Sequence, residues 1–287
     1  MDEKDCIILL SIYKEQNLGR AAKKLYLTPP ALTYRIQQLE TRFSVAIIKR
    51  NRNQIFFTPE GEQLVKYAEK SLSDLNYLQD SLLDINGTLR IGSAAIYALS
   101  RLPTILSGFL DEFPKIKTHL HSSYSKDMFN LLTNGNIHLS IVRGDYDWPE
   151  YSHLIRKENI CIVSKNKISL ENLPSLPCIK VSHPASANHS HLVSAWWAER
   201  FESPKLINME VNDFQTSIAL AEKGLGYAIM PSIFLTDNND LYREDLFFTN
   251  GQPLTIDTWL LCTNEAKKLT IVKKFISHVQ SLPASHL

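Results

Sequence analysis

Apolar residues recur at helical spacing through the first part of the chain, with polar residues at the intervening positions. A first amphipathic helix is predicted over residues 4–16, where apolar side chains lie three or four positions apart. A second, capped by Asn17, is predicted over residues 18–25. A third is predicted over residues 29–43, because Thr28 is a suitable N-cap and proline is tolerated in a first helical turn. Two helices joined by a short turn form a helix-turn-helix unit, whose second helix can enter the major groove of DNA.

The exposed face of the third predicted helix carries hydroxyl and amide groups, which can contact phosphates and base edges. A basic segment at residues 49–53 follows between two short apolar runs, and this pattern predicts a charged hairpin, or wing, placed to reach phosphates or the minor groove. The alternative is a three-helix capping domain with a solvated charged loop. The candidate DNA-binding residues are Thr28, Pro29, Pro30, Thr33, Tyr34, Arg35, Gln37, Arg50 and Arg52.

The distribution of charge agrees with a polyanion-binding head. The whole chain carries 31 basic and 30 acidic residues, a net charge of +1 with neutral histidines. Residues 1–58 carry +5 and the remaining residues carry −4. A basic head on a mildly acidic body suggests a nucleic-acid-binding module attached to another domain.

A long helical pattern starts at Pro59 and continues to about Asp84. At a rise of about 1.5 Å per residue it would form a rod of about 40 Å. One face is a narrow apolar seam, and such a helix needs a partner, most simply a second copy of the chain. The alternative is that the helix packs on the C-terminal body of its own chain. The seam consists of Leu64, Val65, Ala68, Leu72, Leu75, Leu78 and Leu82.

From Gly87 onward, short β-rich runs alternate with helical segments, which predicts a parallel or mixed sheet with helices on both faces. Two such blocks predict two α/β subdomains with a cleft between them. The predicted strands lie at residues 89–92, 117–121, 138–142, 160–164, 178–182, 206–211, 226–230 and 256–261, and the predicted helices at 102–113, 127–134, 192–201, 214–223 and from 266.

Ligands of α/β sheets bind beyond the carboxyl ends of strands, where helix N-termini present free N–H groups to anions. Arg143 follows a predicted strand, and its guanidinium can bind a carboxylate, unless a salt bridge to Asp145 or Asp147 occupies it. A serine at a strand end can equally be an ordinary helix cap. Together these residues favour an anionic metabolite. The candidate effector-binding residues are Ser93, Ala94, Tyr124, Ser125, Arg143, Ser182, His183 and Asn212.

Other chemistry finds little support in the sequence. His189 and His191 could be two metal ligands, but no cysteine or carboxylate completes a usual spacing, so surface histidines are expected. Cys161 and Cys262 are expected near the two crossings between subdomains, yet nothing beside them lowers a thiol pKa. The sequence therefore predicts no metal and no cofactor.

The quoted segments resemble one family, the LysR-type transcriptional regulators. They are NLGRAA (17–22), TPPALTYRI (28–36), LE (39–40), FTPEG (57–61), GTLRIG (87–92) and GLGYAIMP (224–231). The sequence departs from the family pattern at Pro29, where glutamine is usual, at Ser44, where glycine is usual, and at Ile47-Ile48, where Leu-Phe is usual.

The resemblance implies an α/β protein overall, with a winged helix-turn-helix, a linker helix, and an effector-binding domain similar to periplasmic binding proteins. It places the domains at 1–58, 59–86 and 87–287. It divides the last into subdomain I (87–159 and 266–287) and subdomain II (160–265), with crossings near 158–162 and 262–266. Ser93 and the pair Tyr124-Ser125 correspond to family positions that commonly contact effector.

The function expected from these features is sequence-specific transcriptional regulation controlled by a small-molecule effector, without enzymatic activity. The expected partners are double-stranded DNA, the effector, a second copy of the chain in a homodimer or homotetramer, and RNA polymerase as a further candidate. The start MDEKDC is unlike a signal peptide, and the four cysteines are scattered, so a cytoplasmic location is expected. The alternative function is a cytoplasmic small-molecule-binding or catalytic α/β protein with an accessory nucleic-acid-binding head. No nucleophile-elbow, P-loop or dinucleotide motif supports catalysis.

Overall fold

The computed structural model of the chain describes residues 1–51, 54–83, 87–182, 187–235 and 240–283. It separates into two compact units. One comprises residues 1–87 with 133–136, and the other comprises residues 88–132 with 137–287. Among the described residues, no helix combines the length and the apolar character that crossing a membrane requires.

The first unit is the predicted winged helix-turn-helix followed by a long helix. The side chains of Asn17 and Thr28 accept hydrogen bonds from the backbone N–H groups of Arg20 and Ala31, so both predicted N-caps are present. Its elements are α1 (Glu3–Glu15), α2 (Leu18–Lys24), α3 (Pro29–Phe43), β1 (Ile48–Asn51), β2 (Gln54–Phe57) and α4 (Pro59–Leu83).

The start of α4 is fixed by a threonine and a glycine. The Thr58 hydroxyl donates to the backbone oxygen of Ala46 at 2.6 Å and accepts from the backbone N–H of Gly61 at 2.9 Å. A Cβ at Gly61 would lie 2.2 Å from the backbone oxygen of Ile47, so only glycine allows this close approach. The segment FTPEG is therefore a structural joint between the wing and α4.

The seam of α4 is divided along its length. Val65 and Ala68 are buried in the core that α1, α2 and α3 share, with Leu64 and Leu72 packed against it. Farther along, Leu82 is 77% exposed. Over its first half the seam is thus covered by the N-terminal helices of the same chain, whereas the sequence pointed to a second copy or to the C-terminal body as its partner.

The second unit is a mixed α/β structure built on parallel strand pairs. Strand β3 pairs in parallel with both β4 and β5, and β7 pairs in parallel with β8. The unit contains α5 (Ala95–Ser100), α6 (Leu102–Glu112), α7 (Ser125–Thr133), α8 (Ala187–Arg200), α9 (Phe214–Glu222) and α10 (Thr270–Ser281). Its strands are β3 (Thr88–Ala94), β4 (Lys117–Ser123), β5 (Leu139–Arg143), β6 (Tyr151–Ser164), β7 (Cys178–Val181), β8 (Ile207–Val211), β9 (Ala228–Pro231), β10 (Tyr242–Asp245) and β11 (Thr255–Cys262).

Strands β6 and β11 join the two halves of this unit. The first part of β6 pairs with β11, and its last residues pair with β9 and β10. Strand β11 pairs with β5 from Thr258 to Cys262. The chain therefore returns to the β3–β5 half near residue 258, where β11 begins to pair with β5, whereas the resemblance implied a crossing near 262–266.

Each half has its own core. Trp196, on α8, is fully buried in one cluster of the β9–β10 half, and α9 packs Ile218 and Ala221 into another. In the other half, Phe109 of α6 meets Phe275 of α10 edge to face, with ring centroids 5.1 Å apart. These cores hold the strand ends that surround a cavity in this unit.

Candidate DNA-binding surface and ligand cavity

The outward face of α3 is polar and open. Tyr34 is 61% exposed and lines a shallow surface depression with Gln37, Gln38, Thr41 and Arg42. The buried face of the same helix carries Leu32, Ile36 and Leu39. The helical period therefore separates a face that holds the fold from one available to a partner. Thr41 and Arg42 extend the candidate surface by one further turn, although the sequence analysis did not single them out.

The predicted DNA-binding residues fall into different environments. Thr28, Pro29 and Pro30 are exposed at the start of α3, and Thr33 is half-buried. Arg35 does not point only outward, because its Nη1 lies 3.3 Å from Oδ1 of Asp5. It thereby ties α3 to the capped start of α1.

The wing is described only in part. Strands β1 and β2 are antiparallel, with Arg50 opposite Ile55 in the backbone register. Lys49 is exposed on β1. Arg52 lies outside the described residues, so its predicted contact stays a prediction.

In the second unit, the carboxyl ends of several strands converge on one cavity of about 190 Å³. Tyr124 and Ser125 also line it, at the start of α7. This is the arrangement expected where parallel strands end and helices begin. The strand-end residues in its wall are Ala94, Ser123, Arg143, Val181, Asn212 and Pro231.

Arg143 lies in the wall of this cavity, but its guanidinium is not a free cation. Its Nη2 donates to Oε2 of Glu158 at 2.6 Å, and both side chains are buried. Asp145 and Asp147, the partners considered from the sequence, do not pair with it. The expectation of Arg143 as an uncompensated carboxylate partner is thereby corrected, because Glu158 on β6 neutralises most of its charge.

The predicted effector-binding serines and His183 lie in different environments. Ser93 is fully buried inside β3 and donates to the backbone oxygen of Ala94. The hydroxyl of Ser125 accepts from the backbone N–H of Arg143 at 3.0 Å. Ser182 directly follows β7 and is absent from the cavity wall among the described residues, whereas His183 lies outside those residues.

His189 was expected at the surface, yet it is 7% exposed on α8. Neither ring nitrogen has a hydrogen-bond partner within the described part of the chain. Burial, and then the nearby Arg143, lowers the pKa of His189 to about 3, so the ring is neutral at neutral pH. His191, two positions along the helix, is exposed. Within the described ranges, no three potential ligands are grouped to hold a metal ion.

Two phenylalanines complete the cavity wall. Phe214, at the start of α9, and Phe234 have ring centroids 4.4 Å apart at a tilt of 35°. The His189 ring meets Phe214 edge on at 5.0 Å. The Arg143 guanidinium lies 5.8 Å from the Phe234 centroid. Neither phenylalanine was predicted as a site residue, because each has the sequence pattern of an ordinary core residue.

Comparisons with known proteins agree with both units. The family described as "Bacterial regulatory helix-turn-helix protein, lysR family" matches residues 4–62, and the "LysR substrate binding domain" matches residues 84–283. The chain is 32% identical over 284 residues to the uncharacterized HTH-type transcriptional regulator YraN of Bacillus subtilis (strain 168), with 98% of each sequence covered.

Solved structures share the fold. The crystal structure of CbnR, a LysR family transcriptional regulator, superposes with a TM-score of 0.71 at 19% identity, covering 98% of each chain. Full-length CbnR in complex with its target DNA gives the same TM-score at 18% identity, covering 98% of this chain and 99% of that one.

Proposed function

The chain belongs to the LysR family of bacterial transcriptional regulators, which bind DNA and carry an effector-binding domain, and on that premise we propose how its residues divide these tasks. It is a DNA-binding regulator and not an enzyme, which sets aside the catalytic alternative. We propose domain boundaries at 1–58, 59–86 and 87–287. We also propose that the protein acts in the cytoplasm as a homodimer or homotetramer. RNA polymerase is a further proposed partner.

The outward face of α3 is proposed to read the operator. Tyr34 and Gln37 contact base edges, and Thr28, Pro29, Pro30 and Thr33 lie against the backbone near the helix start. Arg35 positions α3 through Asp5 and reaches DNA with the remainder of its guanidinium. Arg50 and Arg52 in the wing contact phosphates. The observation that supports this division is the exposed polar face of α3 beside the basic wing.

The DNA proposal is tested by binding measurements at several salt concentrations. Replacing Arg52 with alanine is expected to weaken binding to all sequences and to reduce the salt slope by about one unit. Replacing Gln37 with alanine is expected to change sequence preference and leave the salt slope unchanged. If Arg52→Ala alters neither affinity nor slope, the wing does not contact phosphate.

The cavity at the strand ends is proposed to bind a small anionic effector, most simply one carrying a carboxylate. Backbone N–H groups after Ala94 and at the start of α7 supply positive potential. Tyr124, Ser125 and Asn212 supply side-chain contacts, and Ser93 supports the site from inside β3. Ser182 and His183, which follow β7 in the sequence, are kept as proposed effector contacts. Arg143 contributes through the part of its guanidinium that Glu158 does not occupy.

Effector binding controls DNA binding only if the effector favours one arrangement of the protein over another. A coupling of about 1–3 kcal/mol would change operator affinity by about 5- to 150-fold. A calorimetric screen of carboxylates against wild type and Asn212→Ala tests the site. Equal binding of every acid to both proteins would remove this cavity wall from effector recognition.

A further inference from the structure

The cavity wall indicates the chemical class of the effector, an inference that rests on the proposed function. We propose that the effector is a planar ring about the size of one aromatic ring, with a single negative charge and an uncharged polar group that hydrogen-bonds to His189. His189 is thereby assigned as the residue that determines specificity in the cleft.

The size of the cavity fits a small molecule. A cavity of about 150 Å³ lined by apolar side chains accommodates benzene. The cavity at the strand ends measures about 190 Å³. It therefore has room for one ring and a small number of substituent atoms.

The apolar wall favours a flat body. Phe214 and Phe234 present tilted aromatic faces, and Ile96, Pro231 and Ile256 add aliphatic surface. Aromatic groups gain both from burial and from edge or offset contacts with other rings. A saturated ring with the same number of carbon atoms is thicker and cannot make these edge or offset contacts with the two phenylalanines.

His189 supplies an unused polar contact. Its ring is more than nine-tenths buried, and neither nitrogen makes a hydrogen bond of ordinary geometry within the described residues, although the backbone of Ile229 lies near the ring. A buried polar group left unsatisfied costs about 1–3 kcal/mol, so a ligand that satisfies it gains affinity and selectivity. Because the ring is neutral, it offers one donor and one acceptor, which suits a hydroxyl or ring-nitrogen substituent.

The charges in the wall disfavour a dianion. The positive charge of Arg143 is paired with Glu158. Asp213, which also lines the cavity, caps α9, and hydrogen bonds from Thr216 hold the pKa of its carboxyl below the usual value. The wall thus carries no excess of positive side-chain charge to match two carboxylates.

The test measures binding of matched acids to the full-length protein by calorimetry. Benzoate, cyclohexanecarboxylate and succinate share a carboxylate and differ in planarity and charge, and the three hydroxybenzoates add one polar group. We expect benzoate to bind at least about 5-fold tighter than cyclohexanecarboxylate or succinate. We also expect at least one hydroxybenzoate to bind about 5- to 10-fold tighter than benzoate, the gain of one hydrogen bond.

Four variants locate the interaction. His189→Leu is expected to weaken the hydroxybenzoate more than benzoate, so that the advantage of the hydroxybenzoate is lost. His189→Gln is expected to restore part of that advantage. His191→Leu, on the same helix but exposed, is expected to behave as wild type. Because His189 also borders a second cavity between α8 and β7, Phe234→Leu serves as a control for the first cavity alone and should weaken benzoate.

The outcomes separate this inference from the proposal on which it rests. If succinate or cyclohexanecarboxylate binds as tightly as benzoate, the ring assignment is wrong and the anionic effector stands. If the hydroxybenzoate advantage survives in His189→Leu, His189 is not the specificity residue. If none of the acids binds, both the ring assignment and the anionic effector are wrong.

Discussion

At the scale of single residues, the cleft depends on a buried ion pair. The Arg143 and Glu158 side chains are 7% and 1% exposed, so the charge of Arg143 relies on Glu158, whose other oxygen also lies 3.8 Å from Nε of Arg156. Removing one partner of such a pair leaves an uncompensated buried charge, which typically costs about 3–5 kcal/mol. The pair therefore fixes the cavity wall more firmly than any surface contact could.

Glu158→Gln is expected to lower the free energy of unfolding by several kcal/mol, as measured by urea denaturation of the full chain. The same substitution at Glu210, whose pair with Lys180 is exposed, is expected to change it by less than about 1 kcal/mol. The double substitution Arg143→Met with Glu158→Leu should lower the free energy of unfolding by less than Glu158→Gln alone. Equal effects at Glu158 and Glu210 would contradict the buried pair.

His189 makes stability depend on acidity. Its pKa is about 3 in the folded chain and about 6.5 when unfolded, so the unfolded state takes up a proton first as pH falls. The stability associated with the neutral ring is complete above pH 6.5 and is lost progressively between pH 6.5 and 3. Between pH 7 and 5, His189→Leu should therefore lose about 1–2 kcal/mol less than wild type. His191→Leu should follow the wild-type pH dependence.

At the scale of elements, the joint between wing and α4 concentrates several constraints at Thr58 and Gly61. Thr58→Val removes both the hydrogen bond that the hydroxyl donates to Ala46 and the one that it accepts from Gly61. It should therefore lower the free energy of unfolding by about 1–3 kcal/mol. Thr58→Ser keeps both bonds and should be much milder. Thermal unfolding of the full-length variants measures this difference, and a valine variant as stable as the serine one would rule out the cap.

The elements predicted best from sequence are those with a strong period or a cap. Helices α1, α2 and α3 begin within one residue of the predicted positions, because Asn17 and Thr28 mark two of the starts. The first half of β6 and the short elements α5 and β10 were missed. In β6, charged residues at 156–158 resemble a surface loop, although pairing with β11 makes the segment a strand.

The candidate site was predictable only where local sequence determines it. Strand ends followed by helix starts placed Ala94, Tyr124, Ser125 and Asn212 at the cavity. The partner of Arg143 could not be identified, because Glu158 lies on the next strand while Asp145 and Asp147 are closer in sequence. The burial of His189 likewise depends on the packing of α8, which a polar stretch of sequence does not reveal.

At the scale of the whole molecule, α4 offers an apolar surface beyond its covered first half. Leu75 is half-buried and Leu82 is exposed. We expect these leucines to contact a second copy of the chain, so that Leu75→Glu with Leu82→Glu converts a dimer to a monomer and weakens operator binding. Sedimentation velocity at micromolar concentration measures the change. Asn76→Glu with Gln79→Glu adds the same charge at exposed polar positions and should leave the dimer intact.

Strand β11 comes late in the sequence but pairs with β5, which comes early, and this has a consequence for synthesis of the chain on the ribosome. Every residue of β5 is buried, yet its neighbour β11 is translated only after the whole β9–β10 half. At about 5–20 residues per second, translation from β5 to β11 takes roughly 6–25 s. During that interval β5 has an open, apolar edge, so nascent chains that end before residue 255 should be protease-sensitive and should engage chaperones. Pulse proteolysis of stalled ribosome complexes would show protection of β5 only after β11 has emerged.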